Sequence, residues 1–179
     1  SVVPKDALRY GYQLWIDEAS GLLLRSTLVT PSGQVLEEIA YTNITVPATI
    51  SDAQLEASIG GPGYKQFSSR LDDAPHDPSS ASGWSVKWLP TGFEMRERVA
   101  PPPAEGGVAA VHLVFSDGLA SVSVFIERLE PAGERLEGHS MLGAVSAFGT
   151  MIGEHQITVV GEVPPVTVER MGRSVVAGD

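Results

Sequence analysis

The sequence contains no cysteine, which rules out a disulfide framework and any thiol chemistry. It is also poor in positive charge. Twelve Lys and Arg against 22 Asp and Glu leave a formal net charge of −10. Nucleic-acid binding is driven by basic side chains displacing counterions, so a general nucleic-acid binder is excluded, and no basic cluster offers an electrostatic grip on anionic lipid. No apolar run approaches the roughly 20 residues needed to span a bilayer as a helix. Helical periodicity is scarce, and no signal-peptide pattern precedes the strand-like residues that follow Ser1.

Catalytic and metal-binding patterns are equally thin. The four histidines, at 76, 112, 139 and 155, do not stand at a metal-ligand spacing. His112 and His155 fall on strand candidates and read as structural, His76 sits in linker-like sequence, and His139 is expected in a turn. "GHSMLG" (138–143) approaches a nucleophile elbow but has Leu142 where glycine is required, and it follows charged turn sequence rather than a strand. "GGPGYK" (60–65) lacks the phosphate-loop spacing. The acidic pairs at 17–18, 37–38 and 72–73 are adjacent in sequence; on a strand such neighbours point to opposite faces and form no dyad. "NIT" (43–45) fits a glycosylation sequon by chance. No cofactor is expected, and the chain is read as a non-enzyme.

What the sequence does have is strand alternation cut by turns. Its 13 prolines and 19 glycines favour short strands over long helices, while 42% hydrophobic and 19% charged residues are those of a folded chain. In "YGYQLWIDEASGLLLRS", Tyr10, Tyr12, Leu14 and Ile16 fall on one face of a strand, and "DEASG" supplies a hairpin turn. A second strand runs near 22–30, "TPSGQ" turns the chain, and a third strand is expected over 35–46. A short helix capped by Ser51 or Asp52 follows. Residues 72–83 have linker composition, which places a domain boundary there.

Beyond it, strands are expected at 84–89, 93–99, 109–116, 119–129, 142–152 and 154–162. Val122, Val124 and Ile126 form an apolar face opposite Ser121 and Ser123. In "PPVTVERMGRSVV", Pro165 suits a first helical turn, and Val168, Met171 and Val175 recur at helical spacing, although Gly172 weakens the helix by about 1 kcal/mol relative to alanine. The fold class is therefore mainly β with an α+β second half. Three strands and a short helix make a thin basis for an independent first domain, so its sheet wants strands or a partner to cover it. Trp84, Val86, Trp88 and Phe93 are either a core staple or part of a partner surface; Tyr10, Tyr12 and Leu14 are either core or the wall of an apolar groove.

Taken in order, these stretches resemble a known family. "YGYQLWIDEASGLLLRSTLVTPSGQVLEEIAY" is similar to the strand-turn-strand of lipoprotein-carrier-like periplasmic proteins. "WSVKWLPTGFEM", "FSDGLASVSVFIE" and "VVGEVPPVTVERM" resemble the C-terminal domain of the MucB/RseB family, regulators of the envelope-stress sigma factor. Phe115 stands where the resemblance leads one to expect tyrosine.

The resemblance implies that residues 1–71 are the C-terminal part of an unclosed antiparallel β-barrel domain whose front part lies upstream. It implies a linker at 72–83, and a smaller antiparallel sheet with a C-terminal helix at 84–179. It further implies a non-catalytic periplasmic regulator that binds the periplasmic segment of a membrane-anchored anti-sigma factor and shields it from regulated proteolysis, with release by lipoprotein or lipopolysaccharide acyl chains. An apolar ligand wall is expected at Tyr10, Tyr12, Leu14, Leu22 and Leu24, and a partner surface at Trp88, Leu89, Pro90, Phe93, Phe115 and Asp117. A homodimer would cover the open sheet edges. The competing readings are a lipid or lipoprotein carrier, and a hydrolase using Ser140 or an acidic pair.

Overall fold

The computed structural model describes residues 1–46, 49–56, 83–99, 110–129, 133 and 135–178. By backbone contacts the chain divides into two compact units, one formed by Ser1–Ala40 with His76–Asp179 and the other by Tyr41–Pro75. The expected linker lies outside the described residues except for Gly83.

The first three strands, β1 (Gly11–Ile16), β2 (Leu23–Val29) and β3 (Val35–Ala40), form an open antiparallel sheet in that order. Tyr12 pairs with Leu28 and Leu14 with Ser26, so Tyr12, Leu14, Leu24 and Leu28 share a face. The turn after β1 is built by Asp17, whose carboxylate accepts from the Ser20 amide and hydroxyl, and by Gly21 at φ 72°. β3 is shorter than the sequence suggests: its last pair is Ala40 with Arg25, two residues before the start of β2 is reached. In the second unit, the single turn α1 (Asp52–Leu55) begins at Ser51, whose N–H donates to the Gln54 side chain.

The larger sheet contains β5 (Glu94–Val99), β6 (Ala110–Ser116), β7 (Ser121–Arg128), β8 (Gly138–Leu142), β9 (Val145–Ile152) and β10 (His155–Gly161), in the order β5-β6-β7-β10-β9-β8. All its pairings are antiparallel. One face is covered by α2 (Pro165–Arg173) and a two-stranded ribbon of β4 (Trp84–Val86) and β11 (Val175–Ala177). Leu113, Val122, Val124, Ile157, Val159, Val168 and Met171 are completely buried between sheet and helix, each such side chain contributing about 1.5–3 kcal/mol.

Several boundaries differ from the sequence reading. The expected 142–152 strand is β9 but begins at Val145, because Gly143 at φ 60° reverses the chain after β8, a strand that the sequence reading did not expect. "GHSML" is thus a strand, and His139 lies on it rather than in a turn. The 84–89 strand stops at Val86, since the Lys87 and Trp88 amides turn to the Ser174 carbonyl and hydroxyl. Val175 is not on the helix. α2 ends at Arg173, and Val175 pairs with Val86 in β11. Gly172 has a packing reason: a Cβ there would stand 2.7 Å from Phe148 Cδ1, so the glycine lets helix and sheet approach.

Candidate partner-binding surface

The residues flagged as a partner surface form two loops of the larger sheet, and the segment preceding β1 occupies both. Phe115 and Asp117 flank the end of β6. Asp117 Oδ1 accepts from the Leu119 and Ala120 amides at 3.0 and 2.9 Å, closing the turn into β7 over Gly118 at φ 97°. Across from it, the Phe93 amide donates to the Pro90 carbonyl at 3.0 Å, so "PTGF" is a tight turn with Pro90 and Phe93 buried.

Arg9 lies between these turns. Its guanidinium contacts Asp117 Oδ2 at 2.5 Å, donates to the Thr91 carbonyl at 2.8 Å, and sits 5.2 Å from the Phe93 ring centroid. Next to it the Thr167 hydroxyl of α2 donates to the Leu8 carbonyl at 2.7 Å. Tyr10 is buried with Leu28 and with Ala144 from the β8–β9 turn, and Tyr12 and Leu36 pack against this small cluster. The open sheet is therefore fastened to the larger one by an ion pair, a hydroxyl bond and an apolar plug.

Electrostatics follow from this packing. Burial is the largest single influence on Asp117 and works to raise its pKa. The Ala120 and Leu119 amides, with the Arg9 charge, outweigh it and hold the carboxyl below the ordinary aspartate value. Tyr12 is pushed up, first by burial and then by the negative charges of Glu162, Asp117 and Glu37.

The flagged residues divide accordingly. Phe93 and Phe115 are core, Asp117 is engaged by Arg9, and Trp88 and Leu89 are half-buried, with the Arg170 guanidinium 4.0 Å from the Trp88 ring centroid. Of the proposed apolar wall, Tyr10 is buried, Tyr12, Leu14 and Leu24 are half-buried on one face, and Leu22 is exposed in the turn. Tyr10 and Tyr12 line a cavity of about 30 Å³, and Tyr12 also lines one of about 200 Å³. Both are smaller than the roughly 300 Å³ at which small-molecule sites begin, and neither reaches Leu14, Leu22 or Leu24.

A second polar cluster joins β8 to α2. His139 Nε2 lies 3.0 Å from Glu169 Oε2, and Arg173 Nε donates to Glu169 Oε1 at 2.9 Å. The bond from Arg173, then that from His139, lowers the Glu169 pKa. Ser140 lies mid-strand in β8, not at the strand-to-helix turn a nucleophile elbow requires. Arg9, Thr167 and Arg170 carried no sequence signal, because Arg9 and Asp117 are 108 positions apart. "SDGL" did contain the pattern of an Asp-closed turn.

Comparison with known proteins agrees over both halves. The family model for the MucB/RseB N-terminal domain matches residues 1–59, and that for the MucB/RseB C-terminal domain matches residues 78–176. The sigma factor AlgU regulatory protein MucB of Pseudomonas aeruginosa is 34% identical over 98% of this chain and 54% of its own length. The sigma-E factor regulatory protein RseB of Escherichia coli is 28% identical over 99% of this chain and 54% of its own length.

Among solved structures, MucB in complex with MucA(peri) matches with a TM-score of 0.76 at 30% identity, covering 98% of this chain and 60% of that one. A crystal structure of MucB matches with a TM-score of 0.65, also at 30% identity, covering 98% and 55%. The chain spans about half the length of the curated relatives it matches. With both halves matched, and in the same order, the chain belongs to the MucB/RseB family.

Proposed function

We propose that this chain is part of a non-catalytic periplasmic regulator that binds the periplasmic segment of a membrane-anchored anti-sigma factor and shields it from regulated proteolysis. The observation that carries this reading is the match, over 98% of the chain, to relatives named as sigma factor regulators and to MucB solved with MucA(peri). The mechanism needs no bond chemistry. A protease requires an extended, accessible substrate, and a protein present above its Kd for that segment lowers the cleavable fraction by mass action.

In this proposal residues 1–71 are the end of the lipoprotein-carrier-like domain, 72–83 the linker, and 84–179 the domain that meets the anti-sigma factor around Trp88 and Leu89. Phe93, Phe115 and Asp117 then act by shaping those loops. Release by an acyl chain of lipoprotein or lipopolysaccharide requires that the ligand favour the unbound conformation. Trp15, Ile16, Leu22 and Leu23, exposed beside the turn of the first hairpin, are apolar groups available to it. They also support the alternative of an envelope lipid carrier and the expectation of a homodimer, either of which would cover them.

The test mixes the full-length protein with the purified periplasmic region of its own anti-sigma factor and follows cleavage of that region by the cognate protease. Slower cleavage in proportion to bound fraction is expected. No binding at micromolar concentration would overturn the reading, and acyl chains seen by native mass spectrometry without such binding would favour the carrier.

A further inference from the structure

The segment that leads into β1 is bonded to both sheets of the first unit. Its Arg9 guanidinium reaches Asp117 and the Thr91 carbonyl, and its Leu8 carbonyl accepts from Thr167 of α2. Two residues on, the same backbone is β1, with Tyr12 bridged to Val2 and Tyr10 buried against Leu28 and Ala144. The apolar part of this junction is slight. Among the described residues it buries three apolar side chains, against fourteen in the core under the larger sheet. Small, partly polar interfaces within a chain permit relative motion unless something fastens them.

Both charges of the fastening pair have local partners that stay with them when the pair separates. Asp6, on the same segment, accepts from the Leu8 amide at 3.0 Å and from Arg9 Nε at 3.3 Å, and its other oxygen lies 3.2 Å from Arg9 Nη2. Asp117 keeps the Leu119 and Ala120 amides. Breaking a buried ion pair is costly when it leaves one charge uncompensated. Here separation leaves each charge with a partner of its own, so the contact is built to open and close.

A cavity lies directly against the pair. Arg9, Asp117, Tyr10, Tyr12, Leu119 and Ala120 are among the residues that line its volume of about 30 Å³. That is the room of about one water molecule, so a larger apolar group enters only by parting Arg9 from Asp117. Tyr12 also shares the apolar face of the first sheet with Leu14 and Leu24, so a chain lying along that face meets the latch at Tyr12. Two structures named MucB differ in how closely this chain superposes on them. The TM-scores are 0.76 and 0.65 at the same 30% identity and the same 98% of this chain.

We propose that residues 6–12 are a conformational latch between the two sheets, closed by Arg9 on Asp117 and opened by an apolar group wedged beside Tyr10 and Tyr12. Closed, Arg9 holds the Thr91 and Asp117 turns of the larger sheet to the first sheet. Open, Arg9 stays with Asp6, Asp117 stays with its own turn, and the first sheet is free to swing about the segment. For its ligand class this rests on the release step proposed above; the two arrangements rest on the geometry of the junction.

The test reads a distance in the full-length protein. Spin labels at Glu18→Cys, in the first hairpin turn, and Glu127→Cys, on β7, both exposed, report the two sheets, and no cysteine of this chain competes for the label. One short distance is expected to dominate without ligand. Arg9→Met is expected to raise the ratio of long to short distances at least ten-fold, and Arg9→Lys, which keeps the charge, by less than three-fold. Thr167→Val, which removes one hydroxyl bond, serves as a second variant and should raise the ratio by a smaller factor. A synthetic diacylated lipopeptide should raise the wild-type ratio at least ten-fold. It should also bind Arg9→Met at least three-fold more tightly, because less of the protein has to be opened first; a merely damaged fold gives no such gain. Unchanged distances in both variants would overturn the latch, and so would shifted distances with no tighter lipopeptide binding. The distances are read without the anti-sigma factor, so failure of the function reading, which shows in the binding assay above, is a separate result.

Discussion

Replacing Arg9 with methionine keeps most of the side-chain stem and removes the charge that fastens the first sheet to the larger one. The Arg9 and Asp117 side chains are 18% and 12% exposed, so solvent screens the pair only in part. A hydrogen bond to a charged group contributes about 1.5–3 kcal/mol net, and a guanidinium over an aromatic ring adds about 0.5–1 kcal/mol. Arg9→Met is therefore expected to cost about 2–3 kcal/mol, with little added by the lost bond to the Thr91 carbonyl, which is exposed and regains a donor from water. Asp117→Asn should cost less, about 1–2 kcal/mol, because the amide oxygen can still accept from Leu119 and Ala120.

The decisive quantity is the coupling between them. Urea unfolding of the wild type, both single variants and the double variant should give an interaction term of about 1.5 kcal/mol, with unchanged m-values. A term below about 0.5 kcal/mol would refute the latch. Acid provides an independent arm. The Asp117 pKa is lowered on folding, so its contribution is complete above the unfolded aspartate value and is lost as pH falls through the folded value. The coupling should hold at neutral pH, vanish in acid, and fall only slightly in half-molar salt.

Three further outcomes follow from the packing. Gly172→Ala should gain about 1 kcal/mol of helix propensity yet lose about 1–3 kcal/mol to overpacking against Phe148, lowering the urea midpoint; a raised midpoint would contradict the close approach. Gln156 clamps the crossing chain by accepting from the Leu136 amide and donating to its carbonyl, so Gln156→Ala should cost about 1–3 kcal/mol and raise exchange at the Leu136 amide. Tyr12 is raised on folding, so stability should be complete below the unfolded tyrosine pKa and decline as pH rises through the folded value; Tyr12→Phe should remove that part of the alkaline decline in a pH series of unfolding curves.

Much of the fold was legible because alternation is a local property. Val122, Val124 and Ile126 proclaimed a buried face against Ser121 and Ser123, and the core bears it out. Pro165 with Val168 and Met171 marked α2 for the same reason. Errors arose where the deciding partner was remote. Nothing near Val175 told that β4 would take it into a ribbon, and the charged residues before Gly138 masked an edge strand that exists because β9 is there to pair with it.

The sequence by itself determined a strand-rich, cysteine-free, acidic chain and, through its ordered motifs, its family, because composition and period are carried by neighbouring residues. Tertiary structure alone decided that Phe93 and Phe115 face inward and that Asp117 is held by Arg9. Those features depend on contacts across as many as 108 positions, and only closure of the chain fixes which groups meet.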